Sequence, residues 1–230
     1  MELLRALADV PGIKWIRLLY LYPDGITPEM IDLIKNNDKF VKYFDMPLQH
    51  INDGVLKRMN RKMTRKEIED ALALIRKEIP DAVIRTQFIV GFPGETEENF
   101  EELLKFIAEQ KFDRVGCFQY SPEESTPGGK MDGQIDDETK QRRYEAVMEV
   151  QQNISRDKHR AFIGKTVEVV VEGYSEETEL LLQGRTSQQA PDIDGVVLIN
   201  DGQAKIGDFV QVRVTDSMEY DLIGEIVGPV

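Results

Sequence analysis

The sequence predicts an α/β chain: the last four strand-helix units of a partial TIM-type parallel barrel, followed by a small five-stranded antiparallel β-barrel. Three observations carry that prediction. Strand and helix signals alternate up to about residue 164; apolar residues recur with period two from Lys165 onward; and the segment RTQFIVGFPGETEENF (Arg85 to Phe100) runs a short apolar strand into a Gly-Pro-Gly turn and an acidic helix start.

Taken in order, the strand candidates of the first part are Trp15 to Leu21, Val41 to Leu48, Val83 to Gly91 and Arg114 to Tyr120. The helices between them carry their own start and stop chemistry. Thr27-Pro28 opens one with proline at its first position, and Thr64 to Glu67 (TRKE) reads as a capping box. Ile68, Ala71, Leu72 and Ile75 give that second helix an apolar face, and Pro80 ends it. Thr96 caps a third, with Glu97 and Glu98 in its first turn. Four units are too few to close an eight-stranded barrel, so part of one is expected. Asp136 to Phe162 reads as one long helix, with Tyr144, Val147, Met148, Gln151, Ile154 and Ser155 along one side and Gly164 as its stop. The segments TVEVVVE, ELLLQGRT, GVVLI, DFVQVRVT and LIGEIV then give five short strands between Gly, Asp and Asn turns. Two domains follow, residues 1–164 and 165–230.

Composition excludes several classes. With 230 residues and 41% hydrophobic content there is chain enough for one sizeable core and a smaller second one. No apolar run approaches the ~18 residues of a membrane span, and the N-terminal MELLRALADVPG lacks a signal peptide's basic start and cleavage site, so a cytoplasmic location is expected. One cysteine, Cys117, rules out an internal disulfide.

A parallel barrel gathers its reactive groups at the C-terminal ends of its strands. Here those ends read Tyr20, Tyr22 and Pro23; Gln49 and His50; Gly91 to Glu95; and Tyr120 to Pro122. Gly91 and Gly94 remove side chains that would bar close approach of a ligand to the backbone. No Lys-Ser/Thr follows the turn and acids do, which argues against phosphate and for a flat heterocycle read by backbone groups. His50, Asp45, Gln49 and Glu95 admit two readings each: a role at a ligand, or a structural hydrogen bond, cap or ion pair. No general acid or base and no metal ligand can be named.

Read together with YFDMPLQHINDGVLKRMNRK (Tyr43 to Lys62), CFQYSPEESTP (Cys117 to Pro127) and GRTSQQAPDIDG (Gly184 to Gly195), the turn makes the chain resemble the C-terminal two thirds of a radical S-adenosylmethionine methylthiotransferase. The final domain resembles the TRAM domain, an OB-like barrel. The resemblance implies a six-stranded partial barrel of which the first two strands are missing here, S-adenosylmethionine as cofactor, and two four-iron, four-sulfur clusters in the full-length enzyme. It also implies that the cofactor yields a deoxyadenosyl radical that takes hydrogen from the substrate's beta carbon before a methylated sulfur is inserted. The adenosine contacts it implies are Ile89, Gly91, Phe92 and Gly94 with Tyr120 and Ser121, and Gln49 and His50 near the ribose or methionine part. The family's CxxxCxxC loop has no counterpart, because cluster ligation needs at least three closely placed cysteines. The simplest account is a fragment of a longer enzyme, inactive alone.

Charge separates the branches of that family. Residues 165–230 hold four basic and thirteen acidic residues, a net of −9 out of −13 for the chain. An RNA-binding barrel should show a basic face, whereas an acidic one suits a basic protein. DMPLQH (Asp45 to His50) and SPEEST likewise resemble the branch that methylthiolates an aspartate of small-subunit ribosomal protein S-twelve, with Arg185, Asp192 and Asp194 as candidate substrate contacts. Ser125, Gly128 and Gly129 depart from the usual pattern of that loop. The alternatives are a tRNA adenosine methylthiotransferase and, from another class, a cluster-free protein-binding module.

Overall fold

In the computed structural model, which describes residues 1–176 and 178–230, four parallel strands lie side by side in chain order. They are β1 (Ile16–Leu18), β2 (Phe40–Gln49), β3 (Val83–Val90) and β4 (Arg114–Gln119). Between and before them run α1 (Glu2–Ala8), α2 (Pro28–Asn36), α3 (Asp53–Arg58), α4 (Arg65–Glu78) and α5 (Glu97–Gln110). The caps read from the sequence are present. Thr27 Oγ1 accepts from Met30 N with Pro28 in the first helical position, and Thr64 with Glu67 closes a capping box. Thr96 and Asn99 close a second one at the start of α5.

One face of this sheet is apolar and packs on the helices. Phe44, Met46, Leu48, Ile84, Phe88 and Val90 share a core with Ile68, Leu72, Leu103 and Phe106. Each such side chain contributes about 1.5–3 kcal/mol by leaving water, so this face fixes the register of the sheet. The first strand is shorter than expected: it stops before Tyr20, whose backbone turns left-handed at φ 57°.

The chain divides into two compact units, Met1–Gln151 and Gln152–Val230. The division falls inside α6 (Asp137–Arg160). The side of this helix read from the sequence is buried at Val147, Gln151 and Ser155, and the burial extends along it to the polar Lys140, Arg143 and His159. Tyr144, Met148 and Ile154 are only partly covered. Gly164 follows the helix at φ 84°, a conformation that glycine adopts without strain.

The second unit closes β5 (Thr166–Ser175), β6 (Thr178–Arg185), β7 (Val197–Asp201), β8 (Phe209–Ser217) and β9 (Leu222–Pro229) into a barrel ordered β5-β6-β7-β9-β8. All five expected strands are found. The expectation of an entirely antiparallel barrel is corrected at one seam: β7 and β9 pair in parallel. The reason is parity, since strands that alternate up and down around a closed ring must be even in number. Val169, Val171, Val197, Ile199, Val210, Val212, Val214 and Leu222 fill its interior.

Candidate functional site

The ends of β1, β2 and β3 all turn through left-handed backbone, at Tyr20 (φ 57°), Gln49 (φ 69°) and Gly91 (φ 73°). For Tyr20 and Gln49 this conformation costs about 1–2 kcal/mol, so the surroundings must hold it. They do so with buried charge. The Asp45 carboxylate accepts from Tyr20 N at 3.0 Å and from the Arg85 guanidinium at 2.7 Å, while Asp45 O accepts from Leu21 N at 2.8 Å. Thus β2 pins the end of β1.

A second buried network pins β3. Glu95, with its side chain fully shielded, accepts from Gly91 N, from Arg143 at 3.0 Å, and from His50 Nε2 at 3.3 Å. The tautomer of His50 follows from its other nitrogen: Asn52 N donates to Nδ1 at 3.0 Å, so Nδ1 is the acceptor and the proton sits on Nε2. Arg143 also donates to Glu95 O and to Glu97. Glu97 takes two further hydrogen bonds from Arg142, and together the two guanidinium groups hold its carboxyl down at about 2. His50 and Glu95 therefore have the structural reading realised in full, and Gly91 N is already occupied.

The glycines of the turn make room for protein. A Cβ on Gly91 would lie 2.3 Å from Lys140 Cγ, and one on Gly94 would lie 2.8 Å from the Arg58 guanidinium. Arg58 in turn donates to Pro93 O, and Gly94 N donates to Gly133 O. The surface left for a ligand is apolar. Ile89 is half-buried at the end of β3, Phe92 is buried, and its ring meets that of Tyr120 edge-on with centroids 4.8 Å apart. Ser121 beyond is exposed. Gln49 is buried, with its amide reaching back to Pro47 O at 3.4 Å. A cleft of about 450 Å³ opens elsewhere, lined by Tyr22, Asp24, Asn60, Arg61, Lys62, Met63 and Glu67. Of the strand-end residues read from the sequence, only Tyr22 lines it.

An aromatic-walled strand end of this kind suits the edge of a planar heterocycle. The same unit does not suit an iron-sulfur cluster. Cys117 is buried on β4, its thiol pushed up to about 12 by burial and by nearby Glu95. Among the described residues no group of three or more His, Cys, Asp and Glu could hold a metal ion, and none of their helices is long and apolar enough to cross a membrane.

In the barrel, Arg185 is spent on an internal ion pair, its Nε donating to Glu172 at 2.8 Å across β5 and β6. Asp194 is committed too: its carboxylate accepts from Ala190 N at 2.8 Å and braces the loop. Asp192 is exposed, with φ 62°. The three candidate substrate contacts thus differ, and only Asp192 presents its charge outward without a structural task.

Residues 1–107 match the Radical SAM superfamily model and residues 163–227 match the TRAM domain model. The chain is 74% identical over 226 residues to the ribosomal protein uS12 methylthiotransferase RimO of Bdellovibrio bacteriovorus, covering 98% of this chain and 50% of that protein. It is 55% identical to the RimO of Geobacter sulfurreducens, over 98% of this chain and 51% of that one. The chain spans about half the length of the curated relatives it matches. Among solved structures, coproporphyrinogen III oxidase (HemN) from Escherichia coli aligns with a TM-score of 0.47 at 22% identity, over 69% of this chain and 36% of that one.

Proposed function

We propose that the chain belongs to the RimO family of radical SAM proteins and that it supplies one wall of the cofactor site and the TRAM barrel of an enzyme that methylthiolates an aspartate of ribosomal protein uS12. The observation that carries this reading is the 74% identity to a uS12 methylthiotransferase over 226 residues, a span that takes in both domains. We take residues 1–164 as barrel and 165–230 as TRAM domain.

S-adenosylmethionine, when bound, supplies a radical able to take hydrogen from an unactivated carbon. The residues of this chain would orient and shield it. Ile89, Phe92 and Tyr120 present an apolar edge for the adenine, Gly91 and Gly94 set the path of the backbone beside it, and Ser121 and Gln49 lie at the adjoining strand ends. His50 acts one step removed, by holding Glu95 and hence the turn. An iron-sulfur cluster would need at least three closely placed cysteines, and this sequence has one. The net charge of −9 on residues 165–230 favours a basic protein over tRNA as the barrel's partner; a cytoplasmic setting fits that partner.

The test is to express the longer protein that joins this chain to a cluster-binding part, incubate it anaerobically with S-adenosylmethionine, a reductant and a sulfur source, and analyse uS12 by peptide mass spectrometry. A methylthio group on one aspartate is the expected product. Modification of tRNA adenosine with none on uS12 would move the assignment to the other branch.

A further inference from the structure

Gly128 and Gly129, where the loop after β4 departs from the usual pattern, are places where the chain meets itself. A Cβ on Gly128 would run into the Tyr120 hydroxyl, and one on Gly129 into Glu123 O. The loop is also tied within itself. Thr126 Oγ1 donates to Glu123 O at 2.8 Å and accepts from Gly129 N at 3.2 Å, and the Gln134 amide donates to Gly128 O and to Met131 O, each at 3.0 Å. The start of the loop therefore sits against the tip of Tyr120, the ring that meets Phe92 edge-on.

The far end of the same loop is fixed to the turn after β3. Gly94 N donates to Gly133 O at 2.8 Å, and both glycines are left-handed, at φ 80° and 76°. The two backbones meet closely, since a Cβ on Gly133 would lie 3.3 Å from Gly94 N. Arg58, the last residue of α3, closes this joint: its Nε donates to Pro93 O at 2.8 Å and its Nη2 to Asp132 O at 3.2 Å. One guanidinium thus holds the carbonyl that precedes each of the paired glycines. A rigid fork with donors at fixed angles can bridge two segments in this way, whereas an ammonium on a flexible stem sets neither angle. The loop in consequence bears on both members of the aromatic edge, at Tyr120 through Gly128 and at the turn carrying Phe92 through Gly133.

We infer that Arg58 is a positioning residue for the cofactor: by bolting the loop after β4 to the turn after β3, it sets the spacing of Phe92 and Tyr120 and with it the fit of the edge to the adenine. Spacing decides binding there, because a gap of about 0.5–1 Å forfeits a quarter to a half of each dispersion contact. The inference rests on the S-adenosylmethionine reading above and adds to it a residue from α3, outside the strand ends.

Three variants test it. Arg58→Met keeps the stem and removes the donors, Arg58→Lys keeps the charge and loses the fork, and Gly128→Ala presses on Tyr120 from the loop side while leaving the bolt in place. In the 230-residue chain without ligand, the Gly94 amide should exchange its hydrogen about tenfold faster in Arg58→Met than in the wild type, with Arg58→Lys between them and the amides of β3 and β4 unmoved. Calorimetry on the longer protein then compares S-adenosylmethionine with 5′-methylthioadenosine, which shares the adenosine and lacks the amino-acid part. Arg58→Met should weaken both ligands by the same factor, about fivefold, the scale of one hydrogen bond; Arg58→Lys should recover part of the loss, and Gly128→Ala should weaken both ligands as well. An arginine with a structural task alone would lower the melting temperature and leave both affinities unchanged in the folded variants, and that result overturns the proposal. So does a loss confined to S-adenosylmethionine, which would put the effect at the amino-acid end. Unchanged exchange at Gly94 in Arg58→Met removes the bolt and leaves the cofactor reading standing, whereas a wild-type longer protein that binds neither ligand overturns that reading and the proposal with it.

Discussion

The two units of this chain use charge in opposite ways. In the first, Asp45, Arg85, His50, Glu95 and Arg143 are all buried, and each is engaged by a backbone or side-chain partner at a strand end. In the barrel, the ion pairs Arg185–Glu172 and Arg213–Glu225 lie on the surface, and most of the surplus acid has no opposite number. The difference teaches that the first unit spends charge on geometry, where a partner's removal leaves an uncompensated ion, while the second spends it on a field that salt can screen.

The sharpest way to break this comparison is at Glu95. Replacing it by alanine strands Arg143 and His50 and frees Gly91 N, so the first unit should lose about 3–5 kcal/mol of stability, read by urea denaturation. A loss below 1 kcal/mol would mean the network is as dispensable as a surface pair. Next comes Gly91→Ala. The left-handed backbone there and the contact with Lys140 should cost about 1–2 kcal/mol before any ligand is considered. S-adenosylmethionine affinity of the folded variant, measured by calorimetry in the longer protein, then separates a structural glycine from a ligand-facing one.

In the barrel, Asp194 and Asp192 should part company. Asp194→Ala removes the acceptor for Ala190 N and should cost about 0.5–1.5 kcal/mol in thermal unfolding. Asp192→Lys should leave the melting temperature unmoved and slow association with uS12 several-fold at low salt, an effect that fades as the Debye length shrinks. Tight binding of tRNA, steeply weakened by salt, with none to uS12 would contradict the field argument altogether.

The smallest effect concerns Glu97. Its carboxyl titrates lower in the folded chain than in the unfolded one, because Arg142 and Arg143 hold it ionised. The stability this lends is present above the ordinary glutamate range, about 4.3, and is lost as pH falls toward about 2. The gap in melting temperature between wild type and Glu97→Gln should therefore close across that window. Exposure keeps it modest throughout.

Much of this was legible in the sequence, for reasons that are local. Thr27-Pro28, TRKE and Thr96 specify helix starts through bonds within a few residues, and period-two stretches specify the barrel strands. The misses are long-range. Nothing near Tyr20 announces that β1 must stop, because the carboxylate that turns it lies 25 residues away on β2. The buried face of α6 was read only in part for the same cause: Lys140 and Arg143 look solvated until Gly91, Glu95 and Glu97 are seen against them. Gly91 and Gly94 were found by type, but the sequence could not say that Lys140 and Arg58 occupy the space they leave. The parallel seam between β7 and β9, by contrast, was implicit in the count of five.

That seam has a consequence for how the chain is made. The first unit adds each strand beside the one before it, so its sheet can grow in the order in which a ribosome delivers it. The barrel cannot. β9 pairs with both β7 and β8, so the ring stays open along two edges until residues 222–229 have cleared the exit tunnel. During that interval the strands β7 and β8 offer unpaired backbone to any passing chain, the condition in which nascent β-proteins most often need a chaperone.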